Sequence, residues 1–571
     1  MLPSLPLDFP VVNYRVINLT IESHNAYRAS MRLRRVEVIG GGPAGLFAAR
    51  LIKERMPHAA VRVSERSVPD ETFGFGVAFT ARTLRVVAEA ERATFDRLVA
   101  ASVPMPPQEM LIDGVSVRAK GTGGGIAIAR SRLLAVLLDE AVRAGVEVDF
   151  GAERNLGDVR DADLVIAADG AGSRTRAELA GHVGGHVVPG RGVFMWLGCG
   201  TRLRSNLFVP VRTEHGLFTI HGYPYAEERS TLGVEADTET WRRAGMDAAT
   251  ERTPLTESDA FSIGYLQKAF ADVLRGAELL GNRSRWMRFR TVSLPRWHHE
   301  NVVLIGDAAH TAHYSVGSGT KMALEDAVVL ADSLTTAEEP ALAGALRRYE
   351  EIRRPRVEAL QDAAVRSQRW WDSIGHRLDL PAPQLMLAYL SRGGTVSASR
   401  LAGSDPGLLR AGLAAFAGVT PADGELTDVR TWVLNRPYEG AALRASGRLL
   451  DEHGQPGYRE AHGEPSAVTA LRAAYPDEAL AAVLETDVDD PWSPAADAVL
   501  DRCFALAEAG ADGIRLRGRP GRPALLDRLA LAERIRRQSK LFTVVGAPAD
   551  HIDDLVDAIV AGRADLAAIA E

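Results

Sequence analysis

Thiols are almost missing: Cys199 and Cys503 are the only cysteines in 571 residues. They are far apart and in no metal-like spacing, which excludes a disulfide scaffold or a zinc knuckle. Both read as small buried apolar side chains in a reducing compartment. No CxxC pair exists, which sets aside disulfide-reducing chemistry. No apolar run is long enough to cross a bilayer. The first thirty residues lack a basic segment followed by a continuous apolar core, so they do not read as a signal peptide. Positive charge is not in excess either: Lys+Arg total 67 against Asp+Glu 74, a net charge of −7, with no sign of a nucleic-acid surface. What remains is an ordinary globular composition, 46% hydrophobic and 25% charged. At ~100–200 residues per domain it leaves room for three or four structural units. The expectation is a cytoplasmic protein with neither membrane nor nucleic acid as partner. Met31 directly precedes RLRRVEVIGGG, so residues 1–30 are expected to be a disordered extension or to lie ahead of the natural start.

Hydrophobic periodicity orders the rest. Val36–Ile39 reads as a buried parallel strand, Leu46, Ala48, Ala49 and Ile52 as one helix face, and Val61–Val63 as the next strand, together a βαβ unit. Leu133, Leu134, Leu137 and Leu138, after Arg130, make another helical face, and residues 163–168 another buried strand. Residues 194–237 alternate with a two-residue period, which predicts an antiparallel sheet, about residues 190–290, inserted into the nucleotide domain. Residues 301–305 form a strand, followed by long helices through Met322–Asp332 and from Leu342 towards Trp371. The stretch 396–470 is rich in Gly, Ala and Pro without sustained period and is read as connecting structure. From 471 to 571 the strands AAVLET, GIRLRG and FTVVGA alternate with helices, too few units for an eight-stranded barrel. The predicted class is α/β: a Rossmann-like domain over residues 31–395 carrying the inserted sheet, then a partial (β/α) barrel-like region.

Three segments carry chemistry. In Gly40-Gly41-Gly42-Pro43-Ala44-Gly45, Gly40 permits a tight turn, Gly42 lets backbone approach a pyrophosphate, and Gly45 lets helix pack on strand; the helix N-terminus favours the anion. A lone GxGxxG is weak, but this one follows a strand, opens a helix and precedes Glu65-Arg66, with Glu65 placed for ribose hydroxyls. The second segment, DLVIAADGAGSRTR, puts Asp169-Gly170 at a strand end. In the third, NVVLIGDAAHTAHYSVGSGTKMALEDA, Asp307 ends a strand and suits a ribityl chain, while Gly317-Ser318-Gly319 opens a helix at Thr320-Lys321 whose amides suit the polar edge of a flavin. His298, His299, His310 and His313 do not share metal-ligand spacing and are read as structural or flavin-site groups.

In this order the three segments resemble the flavoprotein aromatic hydroxylases of the para-hydroxybenzoate hydroxylase type, over about residues 33–375. The resemblance implies that all three bind one FAD, that the second also serves transient nicotinamide binding, and that Arg130 in IARSRLL lies near the pyrophosphate. Residues 311–315, Thr-Ala-His-Tyr-Ser, replace the family's proline-containing loop, and Lys321 its asparagine. GFGVAF (74–79), HGYPY (221–225), STLGVEADTETWRRAGMD (230–247), SRW (284–286), RWHHENVVLIGDAAHTAHYSVGSGTKMALEDA (296–327) and YEEIRRPRVEALQDAA (349–364) are similar to a narrower subgroup. It comprises the salicyloyl-CoA 5-hydroxylases and the monooxygenase half of 2-aminobenzoyl-CoA monooxygenase/reductase.

That resemblance implies an oxidoreductase that uses NADH, or NADPH, and O₂ to hydroxylate an aromatic acyl-CoA through a C4a-hydroperoxyflavin, salicyloyl-CoA giving gentisyl-CoA. The alternatives are 2-aminobenzoyl-CoA, another carrier-bound aryl substrate, and a non-catalytic FAD-binding interaction protein. His221 and Tyr223, i and i+2 on one strand face, are the candidates for a base. The C-terminal region resembles only the last part of an old-yellow-enzyme-like barrel. No FMN is expected there, and the role assigned to it is packing or formation of a homodimer. Arg202–Arg204 and Arg283–Arg290 are the charge-based candidates for the CoA nucleotide.

Overall fold

A computed structural model of the chain describes residues 33–68, 74–120, 125–317, 319–336, 341–450 and 457–569. The expected extension over 1–30, and Ser318, lie outside the described residues. The chain opens with β1 (Arg35–Ile39), whose Val36, Val38 and Ile39 are buried. Next comes α1 (Pro43–Arg55), with proline in its first turn, where the missing N–H is no loss. Its Leu46, Phe47, Leu51 and Ile52 are buried against the sheet. The strand β2 (Ala60–Glu65) pairs parallel with β1, Arg35 opposite Ala60. A second helix, α2 (Arg130–Arg143), packs on α1 through Leu133, Leu137 and Ala141. On the other flank of β1 lies β3 (Leu164–Ala167), parallel, with Val36 opposite Leu164.

After β3 the chain inserts an antiparallel sheet of β4 (Val193–Cys199), β5 (Asn206–Thr213), β6 (Gly216–Ala226) and β7 (Arg229–Ala236). The two-residue period sorts its side chains. Met195, Leu197, Phe218, Ile220 and Val234 pack against Leu266 and Phe270 on one face. Phe194 stands opposite Glu235, and His221 opposite Gly233 and Phe208, on the other. The sheet reaches beyond the expected 190–290: Gln108–Ile112 adds parallel to β5, and Val115–Ala119 adds outside it. Period-2 signals mark a strand but not its distant parallel partner, which is why this edge escapes a local reading.

The chain returns as β8 (Val302–Leu304), parallel to β3, so the neighbours run β8-β3-β1-β2. Then come α3 (Gly319–Thr336), against α1, and the 31-residue α4 (Leu342–Asp372). The stretch 396–470 is not irregular. Helices at Ala398–Ser404, Pro406–Ala417 and Val429–Leu434 are each capped by a side chain, of Ser397, Asp405 and Asp428. They bury Leu401, Leu408, Leu409, Leu413 and Val433. Those caps are the local signal that overrides the Gly- and Ala-rich composition.

The last region is a parallel sheet of β9 (Tyr458–His462), β10 (Ala479–Glu485), β11 (Gly513–Arg517), β12 (Phe542–Ala547) and β13 (Leu566–Ile569), each beside its predecessor. Leu449–Leu450 pairs with β13, and the sheet is open, with that short strand and β9 as its edges. The helix α5 (Arg522–Ser539) covers it. This region shares one core with the inserted sheet, joining Met110 and Phe208 to Trp370, Trp371, Leu385, Leu529 and Leu555. Among the described residues no helix is long and apolar enough to cross a membrane.

Candidate active site

The three motif turns leave the carboxyl ends of three adjacent parallel strands, β1, β3 and β8, the place where open α/β sheets take ligands. Close packing fixes them. A Cβ on Gly45 would stand 2.0 Å from the Gly40 carbonyl oxygen, and one on Gly40 would meet the Ala168 carbonyl at 2.3 Å. Gly306, at φ +58°, lies against Ala44 and Ala323, 3.0 and 3.4 Å from where its Cβ would be, which joins the first motif to the third. By contrast, Cβ positions on Gly42, Gly170, Gly317 and Gly319 point into open space. These are the walls of an open cradle, two of them at helix N-termini.

Polar groups in the cradle fall into two sets. Glu65 accepts from the Gly41 amide at 2.7 Å and the Ser67 amide at 2.8 Å, and each carboxylate oxygen keeps a further acceptor site. Arg66 beyond it is exposed. Asp169 is engaged by Ser173 Oγ (2.6 Å) and by the amide and hydroxyl of Thr175 (3.1 Å each), so its carboxylate holds the turn into the next helix. Arg176 then donates to the carbonyls of Ala308 (2.9 Å) and Ala171 (2.6 Å) and ties the second motif to the third.

Asp307 and Arg130 form the second set. Neither has a hydrogen bond from its side chain or an ion pair within 4.0 Å among the described residues. Asp307 is exposed between buried Gly306 and Ala308. The surrounding protein raises its carboxyl above the ordinary range, with His310 and Arg130 pulling it back. Burial likewise lowers Arg130, opposed by Asp307. Thr320 and Lys321 begin α3, and burial lowers the Lys321 ammonium while Glu325 opposes it. An unpaired cation and an unpaired carboxylate beside glycine walls are a donor set that could hold a flavin dinucleotide, with Arg130 suited to phosphate and Asp307 and Glu65 to hydroxyls.

Behind the cradle lies a buried ionic lattice. Asp326 accepts from the Gly306 amide (2.9 Å) and Arg353 Nε (2.7 Å) and bonds His310 Nε2 (2.7 Å); Arg353 also reaches Glu325 at 2.9 Å. The other histidines have structural places too. His298 bonds Glu350 at 3.0 Å, and His299 stacks on His182 at 3.7 Å.

Beside the start of α3, the inner face of the inserted sheet meets residues 313–315 and the end of α4 in an aromatic nest. Tyr314 stands 5.0 Å from both Phe194 and Trp196, His313 stands 5.0 Å from Phe289, and His221 is 5.5 Å from Trp371. Tyr314 Oη donates to Glu235. Ser315 Oγ bonds His313 Nδ1 (2.9 Å) and Ser367 Oγ (2.7 Å), and Arg392 braces Ser367 (2.8 Å) and the Ser315 carbonyl (2.7 Å).

Burial, aided by Arg392, lowers His221 to about 4 and His313 to about 3. Burial and Asp372 hold Glu235 well above the carboxylate range, against Tyr314 and Arg392. At neutral pH His221, His313 and Glu235 are therefore uncharged, and with the aromatic rings they make a suitable wall for a planar ring with hydroxyl or amino substituents. Of the two base candidates, Tyr223 donates to the Gly76 carbonyl at 3.1 Å, and burial raises its hydroxyl, so it is a structural pin. His221 keeps a buried Nδ1 without a hydrogen-bond partner among the described residues.

The sequence reading passed over Glu235, Tyr314, Trp371, Arg176 and the Asp326–Arg353 pair. Glu235 had a signal, a lone acid in the strand STLGVEA on the face opposite Leu232 and Val234. Asp326 and Arg353 had none, because the helices that carry them meet only in the fold.

A family model described as an FAD binding domain matches residues 157–364. Salicyloyl-CoA 5-hydroxylase of a Streptomyces species is 41% identical over 342 residues, which span 60% of this chain and 66% of that protein, just under two thirds of its length. The 3-hydroxy-4-methyl-anthranilyl-(aryl-carrier protein) 5-monooxygenase of Streptosporangium sibiricum is 37% identical over 370 residues, 64% of this chain and 95% of that protein. Protodeoxyviolaceinate monooxygenase of Chromobacterium violaceum is 29% identical over 373 residues, 63% and 94% of the respective chains.

Proposed function

We propose, because this chain belongs to the FAD-dependent aromatic monooxygenases, that it hydroxylates the ring of an aromatic acid held as a thioester, with salicyloyl-CoA to gentisyl-CoA as the leading reaction. The observation that carries the substrate class is the pair of relatives at 41% and 37% identity, both named for attack at position 5 of an ortho-substituted aryl group on a thiol carrier. The balance is aryl-H, O₂, NAD(P)H and a proton going to aryl-OH, water and NAD(P)⁺. When bound, FAD supplies hydride acceptance and oxygen activation. The chain's own residues do the rest. Glycine turns and helix termini orient the dinucleotide, the aromatic nest excludes water from the ring, and uncharged His221 and the Glu235–Tyr314 pair hold the proton of the ring substituent.

The 37% relative also favours a second reading, an aryl group on a carrier protein. Following NADH oxidation and product identity with salicyloyl-CoA, free salicylate and 2-aminobenzoyl-CoA tests the assignment; turnover of free salicylate alone ends the thioester reading.

His221→Ala is expected to keep FAD and to lose about a hundredfold in hydroxylated product, the lower end of general acid–base effects. Unchanged product per NADH oxidised removes His221 from the chemistry. We read the open C-terminal sheet as a partial barrel with a packing or dimer role. Flavin released from the purified protein is then expected to be FAD alone, one per chain; FMN in the extract overturns that reading.

A further inference from the structure

Between the end of α4 and α5 lies a cavity whose lining contains seven arginines and two carboxylates, Asp527 and Glu533. Four of the arginines are paired with carboxylates. Arg377 grips Glu533 with two bonds of 2.7 Å. Arg537 meets Asp379 at 2.9 Å, Arg534 meets Asp497 at 2.6 Å, and Arg369 leans on Asp490 at 3.6 Å. Three others, Arg366, Arg392 and Arg563, have no carboxylate within 4.0 Å among the described residues. Arg563 is only 8% exposed, and its Nη2 has no hydrogen-bond partner; Arg537 Nη2 and Arg366 Nε are equally unsatisfied. A buried guanidinium without an anion is strongly unfavourable, and the unsatisfied nitrogens of Arg366, Arg537 and Arg563 belong to residues that line one cavity. The cavity encloses about 40 Å³. At roughly 10–15 Å³ per water, that is room for a few waters or one tetrahedral oxyanion, not for a ring system.

Position gives the anion a purpose. Arg392 lines this cavity, yet it also braces Ser315 and Ser367 and stands 5.9 Å from the Trp371 ring. The cavity is thus the rear side of the aromatic nest. The exposed arginine segments expected to meet a nucleotide are engaged elsewhere or face solvent: Arg288 donates to the carbonyls of Gly190 and Arg191, and Arg202 and Arg204 are not enclosed.

We propose that this cavity is a phosphate site and that its occupant is a phosphate on the pantetheine arm of the aryl thioester; the second half rests on the thioester reading above. Planar guanidinium groups converging from several elements are the usual recognition of a phosphoryl group. The arm then enters from the side of the C-terminal region, which becomes part of substrate recognition.

The test titrates the FAD-loaded protein with inorganic phosphate, CoA and phosphate-free pantetheine by calorimetry, in the parent and in Arg366→Gln and Arg563→Gln. Phosphate and CoA are expected to bind and to compete, pantetheine to fail, and each substitution to weaken phosphate about tenfold or more. Arg366 lies at a less buried position, so its variant reports even if Arg563→Gln does not fold. Absence of phosphate binding in the parent, or binding indifferent to both substitutions, overturns the site. Phosphate that CoA does not displace overturns the assignment of the occupant. If Arg366→Gln hydroxylates salicyloyl-CoA with unchanged KM, the assignment of the occupant fails while the thioester reading survives. If phosphate binds in an arginine-dependent way but no thioester is turned over, the thioester reading fails and the phosphate site stands.

Discussion

Gly42→Asp is expected to fold as well as the parent protein and to purify without colour. Gly42 is the N-cap of α1, and a Cβ there meets nothing within 4 Å. Aspartate is among the best N-cap residues, so the substitution is neutral or favourable for the helix. The same carboxylate would occupy the mouth of the anion cradle and repel a pyrophosphate. The flavin-to-protein absorbance ratio and the thermal midpoint, measured together, separate the two effects. Gly45→Val makes the contrast: its side chain collides with the Gly40 carbonyl, 2.0 Å away, and with Val38 and Ala168 at 3.1 and 3.2 Å, so both folding and flavin binding suffer. A yellow Gly42→Asp protein with one FAD per chain would remove the first motif from the cofactor site.

The second large effect is on stability. Asp326→Ala strands buried Arg353 and His310 and frees the Gly306 amide. Removing one partner of a buried ion pair costs about 3–5 kcal/mol, a large part of a typical domain's stability, and urea unfolding reads it as a lower midpoint. The loss depends on pH. Burial alone would raise the Asp326 carboxyl, but His310 and Arg353 outweigh it and hold it below the usual value. The ionised form is therefore favoured in the folded chain, and its contribution is complete above about pH 4. As pH falls further, through the folded-state value, the gap between parent and variant narrows. A gap that widens on acidification contradicts the assignment.

The parts of the molecule legible in the sequence are those dictated within a few residues. Gly40 and Gly45 are demanded by carbonyl contacts at the first motif, so that turn was legible from spacing. The alternation in 194–237 gave both faces of the inserted sheet. Asp169 was legible as a strand-end carboxylate but not as the brace that holds Ser173 and Thr175 in the turn into the next helix. Of the nest, His221 was legible from its strand position and Glu235 had a signal, but Phe194, Tyr314 and Trp371 were not, because the group comes together from three strands, a turn and a helix. The arginine cavity is a stronger case: Arg366 and Arg563 are nearly two hundred positions apart, and neither belongs to a recognisable pattern. Composition misled at 398–434, where leucines at helical spacing within an alanine- and glycine-rich stretch still bury a core.

The helix α4 begins among the side chains that hold the nucleotide fold, with Leu346, Tyr349 and Val357, and ends with Trp370 and Trp371 embedded in the C-terminal core. A chain severed near residue 395 would thus strip the cover from two indole rings and from the strand carrying Phe208. Trimming to a minimal flavoenzyme would yield a sticky fragment with a breached back wall. Anyone engineering this scaffold for new aryl substrates must carry the tail along and can use its surface as a remote handle on the pocket.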